Sequence, residues 1–156
     1  SRFKQKKQAV PQSIVSIKPD DIRFSNPQTS ADLLQSTGKV YVQKSQLGGG
    51  SPMIRGFATN RLLLTVDGVR MNNAIFRSGN SQNIITIDPL AVNETEVILG
   101  PGYVIYGSDA LGGVMDFYTL KPVFSYVDER LRCNVVTRYF TANQEKTAHL
   151  TSNLGF

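Results

Sequence analysis

The stretch Glu94–Val114, ETEVILGPGYVIYGSDALGGV, constrains the fold more than any other part of the chain. Five glycines (Gly100, Gly102, Gly107, Gly112 and Gly113) divide short apolar runs. Glycine is needed where the backbone takes positive φ or where two backbones come close. Glu94–Leu99 predicts a strand, with Glu94 and Glu96 interrupting one face. Gly100-Pro101-Gly102 predicts a sharp turn. Ser108 predicts the cap of a one-turn helix over Asp109, Ala110 and Leu111, ended by Gly112-Gly113. Val114–Thr119 predicts a second strand. A phosphate cradle is the competing reading, because Gly102 and Gly107-Ser108 have P-loop outline. The lysine that reaches the outer phosphates is missing, since Ser108 directly follows Gly107. The nucleotide reading therefore loses its mechanism.

The rest of the chain supplies short elements of both kinds. SIVSIK, residues 13–18, predicts a first strand. Pro19 with Asp20 and Asp21 suits a helix start, and Asn26-Pro27 closes it. Thr29 or Ser30 caps a second helix with Ala31, Leu33 and Leu34 on its apolar face, stopped near Gly38. Lys39–Lys44 alternates, with Val40 and Val42 on one side, as a half-buried strand does. Gln46–Pro52, QLGGGSP, predicts a flexible loop, and Met53–Phe57 an extended segment. Arg61–Val66, RLLLTV, predicts a strand covered on both faces. Asp67-Gly68 predicts a hairpin turn into Val69-Arg70-Met71. Asn72–Asn83 reads as a second long loop. Asp88-Pro89 caps a short helix over Leu90–Val92. The sum is an α+β fold, a small mixed sheet with short helices.

The same residues exclude several classes. No window approaches the roughly 18 apolar residues of a membrane helix. The start, SRFKQKKQAV, lacks the apolar run of a signal peptide, so a mature form or an excised piece is expected. The net charge of +5 has one cluster, Arg2, Lys4, Lys6 and Lys7. That cluster reads as a solvated terminus, and no aromatic interleaving supports nucleic-acid binding. Cys133 and His149 are the single cysteine and histidine, which leaves no disulfide and no zinc set. No cofactor and no enzyme activity are expected. Asp67, Asp88, Asp109 and Asp116 each have a turn, cap or surface explanation that outweighs catalysis.

The chain also carries a family resemblance. It is carried in order by Ala31-Asp32-Leu33-Leu34, Gly38-Lys39-Val40, Ile54-Arg55-Gly56-Phe57, LTVDGVRM at 64–71, Ile87-Asp88-Pro89, Glu96-Val97, Gly100-Pro101 and Tyr106–Val114. The ordered set resembles the plug domain of TonB-dependent outer-membrane receptors, siderophore- or haem-type, over about Pro11–Lys121. The resemblance implies a gating plug. It would block a barrel pore in the outer membrane, contribute ligand contacts, and respond to a TonB-type energy-transducing protein. The implied ligand is an iron chelate, siderophore or haem. A free-standing periplasmic binding module that uses the plug fold is the alternative.

The tail supports the barrel independently. Leu131, Cys133, Val135, Thr137 and Tyr139 alternate with Arg132, Asn134, Val136, Arg138 and Phe140. After a turn around 142–145, Ala148, Leu150, Leu154 and Phe156 share a face with Lys146 and Ser152. Each arm has about the 9–11 residues of a tilted membrane strand, with one apolar and one polar face. Two strands cannot close a barrel. The expected organisation is a plug over 1–122 and the start of a largely absent barrel over 123–156, soluble as an isolated piece. Alone, the open-edged tail is expected to be disordered or paired with another chain.

By position, the resemblance puts ligand contacts on two apical loops. Gly48, Gly49, Gly50 and Ser51 belong to the first. Phe76, Arg77, Asn80 and Gln82 belong to the second. Arg55 and Glu96 are the implied plug–barrel contacts, because a guanidinium can make two directed bonds to a wall carboxylate. The family commonly carries a basic residue before Gly-Pro, where this chain has Leu99.

Overall fold

A computed structural model describes residues 12–46, 49–58, 61–71, 76–77, 80–81, 83–100, 106–107, 110–122, 130–142 and 144–155. The chain divides into two compact units, Ser1–Leu120 and Lys121–Phe156.

The first unit is built on a five-stranded sheet. Its strands are β1 (Ser13–Ile17), β4 (Leu62–Val66), β5 (Val69–Arg70), β8 (Val92–Leu99) and β9 (Gly113–Thr119), in the order β1-β8-β9-β4-β5. Only β4 and β9 run parallel; the other neighbours are antiparallel. The apolar run of β4 has the expected two-sided cover. Leu62 and Leu64 enter the large core, while Leu63 packs in a smaller cluster with Ile98, Ala110 and Val114. β9 splits the same way, with Met115 and Phe117 in the large core. This is the period of two that a strand imposes.

Two short helices, α1 (Pro19–Ser25) and α2 (Ser30–Gln35), contribute Ile22, Ala31, Leu33 and Leu34 to the large core. Local chemistry explains both. Asp21 accepts from the Lys18 N–H (3.1 Å), and Asn26 ends α1 in left-handed conformation, its N–H bonding the Ile22 carbonyl (3.0 Å). Thr29 caps α2. Its Oγ1 accepts from the Asp32 N–H (3.2 Å), and Asp32 returns the bond to the Thr29 N–H (3.2 Å). This reciprocal capping box satisfies two orphan donors.

Burial works to raise the Asp32 pKa, but the Lys44 ammonium and Thr29 outweigh it and hold the carboxyl below its ordinary value of 3.8. A carboxylate with a depressed folded-state pKa stabilises the fold above its unfolded pKa and loses that effect as pH falls through the folded one. Amide exchange in α2 should therefore accelerate selectively below about pH 4. Asp32→Asn should abolish that selective response.

The expected first loop is corrected. Tyr41–Gln46 forms β2 and Gly49–Met53 forms β3, paired antiparallel from Tyr41↔Met53 to Gln46↔Gly49. Gly50 is buried because there is no room for anything else. A Cβ there would lie 2.6 Å from Val42 Cγ1 and 2.8 Å from Ala31 Cβ. Met53–Phe57 is not simply extended either. Arg55 (φ 49°) and Gly56 (φ 81°) form a two-residue turn closed by the Ile54–Phe57 backbone pair (3.1 and 2.8 Å). Two positive φ values in succession define the tight hairpin turn whose twist matches its strands.

Asp67-Gly68 forms the same kind of turn between β4 and β5, as expected. Asp67 also clamps the end of β9, accepting from the Thr119 N–H (3.1 Å) and Oγ1 (2.5 Å). Within the expected second loop, β6 (Phe76–Arg77) pairs with β7 (Asn80–Ser81), and residues 83–86 make a 3-10 turn. Asp88 caps a 3-10 turn over Pro89–Ala91, its carboxylate accepting from the Leu90 N–H (2.9 Å). In the Gly-rich stretch the helix expected over Asp109–Leu111 is replaced. Ala110 and Leu111, the described residues of that span, are not helical. Ala110 lies in a turn, its N–H bonding the Gly107 carbonyl (3.2 Å), and residues 111–112 bend. The proposed cap, Ser108, and Asp109 lie outside the described residues.

The second unit is a long hairpin of β10 (Leu131–Phe140) and β11 (Glu145–Leu154), 10 residues each. They pair with each other along their whole length, from Leu131↔Leu154 to Phe140↔Glu145. The register unites the two apolar sets. Leu131, Val135, Tyr139, Leu150 and Leu154 lie on one face and are 58–67% exposed. On the other face Arg138 bonds Glu145 (2.9 Å) and Thr147 (3.3 Å) and lies over the Phe140 ring.

Candidate functional site

Three regions carry polar chemistry. The first is a row across the sheet. Register aligns Ser16, Glu96, Asp116, Thr65 and Arg70 on five successive strands, so their side chains share one face. Glu94 lies on the same face and accepts from the Ser16 hydroxyl (2.5 Å). Glu96, an expected plug–barrel contact, is half-buried here and faces Asp116 directly. The expectation of a turn, cap or surface role fails for Asp116. It is 3% exposed, and its Oδ1 has no hydrogen-bond partner. Desolvation, reinforced by Asp116 and Glu96, raises the Tyr106 and Tyr118 hydroxyls above their ordinary pKa. Both phenols therefore stay protonated, and Tyr118 shares a side-chain hydrogen bond with Asp116. Like charges directly opposite destabilise a sheet. Asp116→Asn should stabilise the unit by about 1 kcal/mol. Urea unfolding at neutral pH reads this as a raised midpoint.

The second region contains the expected ligand contacts. β3 packs against the 3-10 turn at 83–86, which ends the expected second loop. Gly49 and Gly50 lie in β3, and Ser51 is 7% exposed, so Gly50 and Ser51 serve packing. Gly48 lies outside the described residues. In the second segment the backbones of Phe76 and Arg77 pair with Ser81 and Asn80. Arg77 and Asn80 are thus cross-strand neighbours in a small hairpin; Gln82 lies outside the described residues.

The third region was missed in the sequence. An open groove of about 530 Å³ runs past the end of α2, the start of β2 and the Arg55 turn. Lys39, Tyr41, Met53 and Arg55 line it, with Gly38 and Gly56. Arg55 is exposed at the tip of its turn and Tyr41 is 65% exposed. The signal was present in part: Lys39 precedes an alternating strand and Arg-Gly is a turn dipeptide. Their convergence is tertiary. Among the described residues no group of three or more His, Cys, Asp or Glu side chains is placed to hold a metal ion.

A mixed sheet with short helices agrees with what comparison finds. Residues 6–114 match the family model of the TonB-dependent receptor plug domain. The chain belongs to that family. It is 37% identical over 160 residues to a vitamin B12 transporter, BtuB, of Vibrio vulnificus, covering 100% of this chain and 24% of that protein. It is 33% identical over 93 residues to a hemin receptor of Yersinia pestis, covering 59% of this chain and 13% of that protein. This chain thus spans about a quarter or less of the curated relatives named here. The copper transporter OprC superposes with a TM-score of 0.72 at 22% identity, over 89% of this chain and 21% of that one. The pyoverdine outer membrane receptor FpvA of Pseudomonas aeruginosa PAO1 does so with 0.72 at 19% identity, over 90% and 19%. At such identities the two structures establish the fold.

Proposed function

We propose that this chain is the gating plug of an outer-membrane active transporter, with residues 123–156 opening its β-barrel. The family match over residues 6–114 carries the reading. The hairpin supports it: two 10-residue strands present one exposed apolar face, as lipid demands, and one polar face suited to a wet lumen. A free-standing periplasmic module is less favoured, because the relatives are named transporters and receptors several times longer. The plug blocks the pore at rest and moves when a TonB-type periplasmic partner transmits energy.

The cargo is an iron chelate, siderophore or haem, met by the segment with Phe76, Arg77, Asn80 and Gln82, and by Gly48. Arg55 and Glu96 face the barrel wall. Cobalamin is the second cargo reading, favoured by the whole-chain similarity to a vitamin B12 transporter. Uptake of labelled haem, ferric siderophore and cobalamin by cells carrying the full-length receptor tests the assignment. Replacing residues 76–82 with a Gly-Ser segment should cut uptake of the true cargo at least about tenfold, the loss of more than one kcal/mol of contact. Unchanged uptake of all three would sink the loop assignment.

A further inference from the structure

We propose that Asp67 is a positioning residue for gating, the anchor that fixes where the chain leaves the plug unit. The plug moves with its exit at Thr119 held, which rests on the gating reading above. The first unit ends at Leu120, and Lys121-Pro122 follows. A barrel that begins beyond them is tied to the plug covalently through these residues alone. The strand that delivers them, β9, lies between β8 and β4 in the sheet. Its last residues are held from both flanks. On the β4 flank the Asp67 N–H donates to the Phe117 carbonyl (2.8 Å), just past the final register pair, Val66↔Phe117. There the β4 backbone turns away, and the Asp67 carboxylate takes its place. It accepts from the Thr119 N–H (3.1 Å) and the Thr119 hydroxyl (2.5 Å). On the β8 flank Thr119 pairs with Val92, and the Leu120 N–H bonds the Ala91 carbonyl (3.1 Å). Pro122 has no N–H with which to carry the ladder further.

The choice of residue separates an anchor from an ordinary turn. Asp67 sits at φ 50° and Gly68 at φ 78°, the first and second positions of a tight hairpin turn. Asparagine, aspartate and glycine all suit such a first position. Glycine brings no acceptor, and asparagine brings one acceptor oxygen without charge. An ionised carboxylate alone offers two acceptor oxygens, so it takes the N–H and the hydroxyl together. Bonds to an ionised acceptor are also the stronger kind. The turn therefore does not require aspartate, whereas the double hold on Thr119 does. Asp67 is exposed, so the hold is moderate in strength and acts by its position, at the last residues of the unit.

Amide exchange and planar-bilayer conductance of the full-length receptor test this together. Asp67→Gly keeps the turn and deletes the carboxylate; Thr119→Val keeps the strand and deletes the hydroxyl. Each should speed exchange at Thr119 and Leu120 at least about fivefold, the loss of an exposed bond to a charged acceptor. Each should also raise the resting conductance severalfold. Gly68→Ala strains the turn but keeps the carboxylate, and should leave the resting conductance unchanged. A rise equal to that of Asp67→Gly would assign the effect to the turn and overturn the proposal. Faster exchange at Thr119 with no rise in conductance also overturns it, since the clamp is then structural only. Asp67→Cys with Thr119→Cys, in a Cys133→Ser background, locks the clamp on oxidation. Once both thiols are consumed, uptake of labelled haem, ferric siderophore and cobalamin should match that of the reduced receptor. A loss of uptake that reductant restores would show that the clamp opens during transport, against the proposal. A receptor that conducts nothing even without residues 1–122 defeats the gating reading, while the exchange result stands.

Discussion

Phe117→Ala should destabilise the plug unit by about 3–5 kcal/mol, the cost of deleting a large buried aromatic side chain from a packed core. Phe117 is 0% exposed and sits on β9, between β8 and β4. It faces the large core with Met115, Leu64 and Val97, where helices and sheet meet. Few side chains are placed to close the cavity, because β9 is held on both sides. With native stabilities of about 5–15 kcal/mol, such a loss removes much of the margin. Urea unfolding followed by far-ultraviolet circular dichroism measures it. The hairpin at 131–154, a separate compact unit, should keep its own exchange protection in the variant. A change under about 1 kcal/mol would mean that the sheet does not bury its core through β9.

Gly113→Ala should cost about 1–3 kcal/mol. Its Cβ would lie 2.7 Å from the Ile98 carbonyl oxygen, a backbone atom that cannot step aside without moving β8. Ile54 Cδ1 at 3.1 Å blocks the other direction. Gly112 beside it would bring a Cβ to 2.5 Å from Phe57 Cβ, and its N–H bonds the Arg61 carbonyl (2.8 Å). The pair thus joins the start of β9 to the Arg55 turn and to β4. Gly68→Ala is the contrasting control. A Cβ there meets open space, so only the positive φ of 78° is penalised. The double-glycine variants should lose more than Gly68→Ala in the same denaturation series.

Elements governed by neighbours in sequence were legible in advance. The Thr29 cap, one of the two residues offered for α2, the Asp88 cap and the Asp67-Gly68 turn each depend on residues within three positions. The β4 run LLLT declared burial on both faces by its composition alone. The hairpin faces followed from strict alternation, and the observed register unites the same residues.

What escaped was set by distant contacts. Gly49-Gly50-Ser51 reads as a loop because glycine signals freedom and close packing alike. Only the approach of Val42 and Ala31 to Gly50 makes it a strand. Arg55 in a left-handed turn contradicts residue preference, and the Ile54–Phe57 pair imposes it. Asp116 stands in a strand pattern that marks its face, but burial comes from the flanking strands. Of the groove's lining, Arg55 was named as a site residue in the sequence. The groove joining it to Lys39 and Tyr41 was not, since those residues are brought together by β2–β3 pairing.

The central claim is that residues 1–122 plug a pore formed by a barrel that begins within 123–156. Single-channel conductance of the full-length receptor in a planar lipid bilayer, with and without residues 1–122, tests it most directly. The intact receptor should be closed or conduct only faintly, and the deletion variant should open a large, stable conductance. A deletion variant that inserts into the bilayer yet conducts no more than the intact protein would contradict the account.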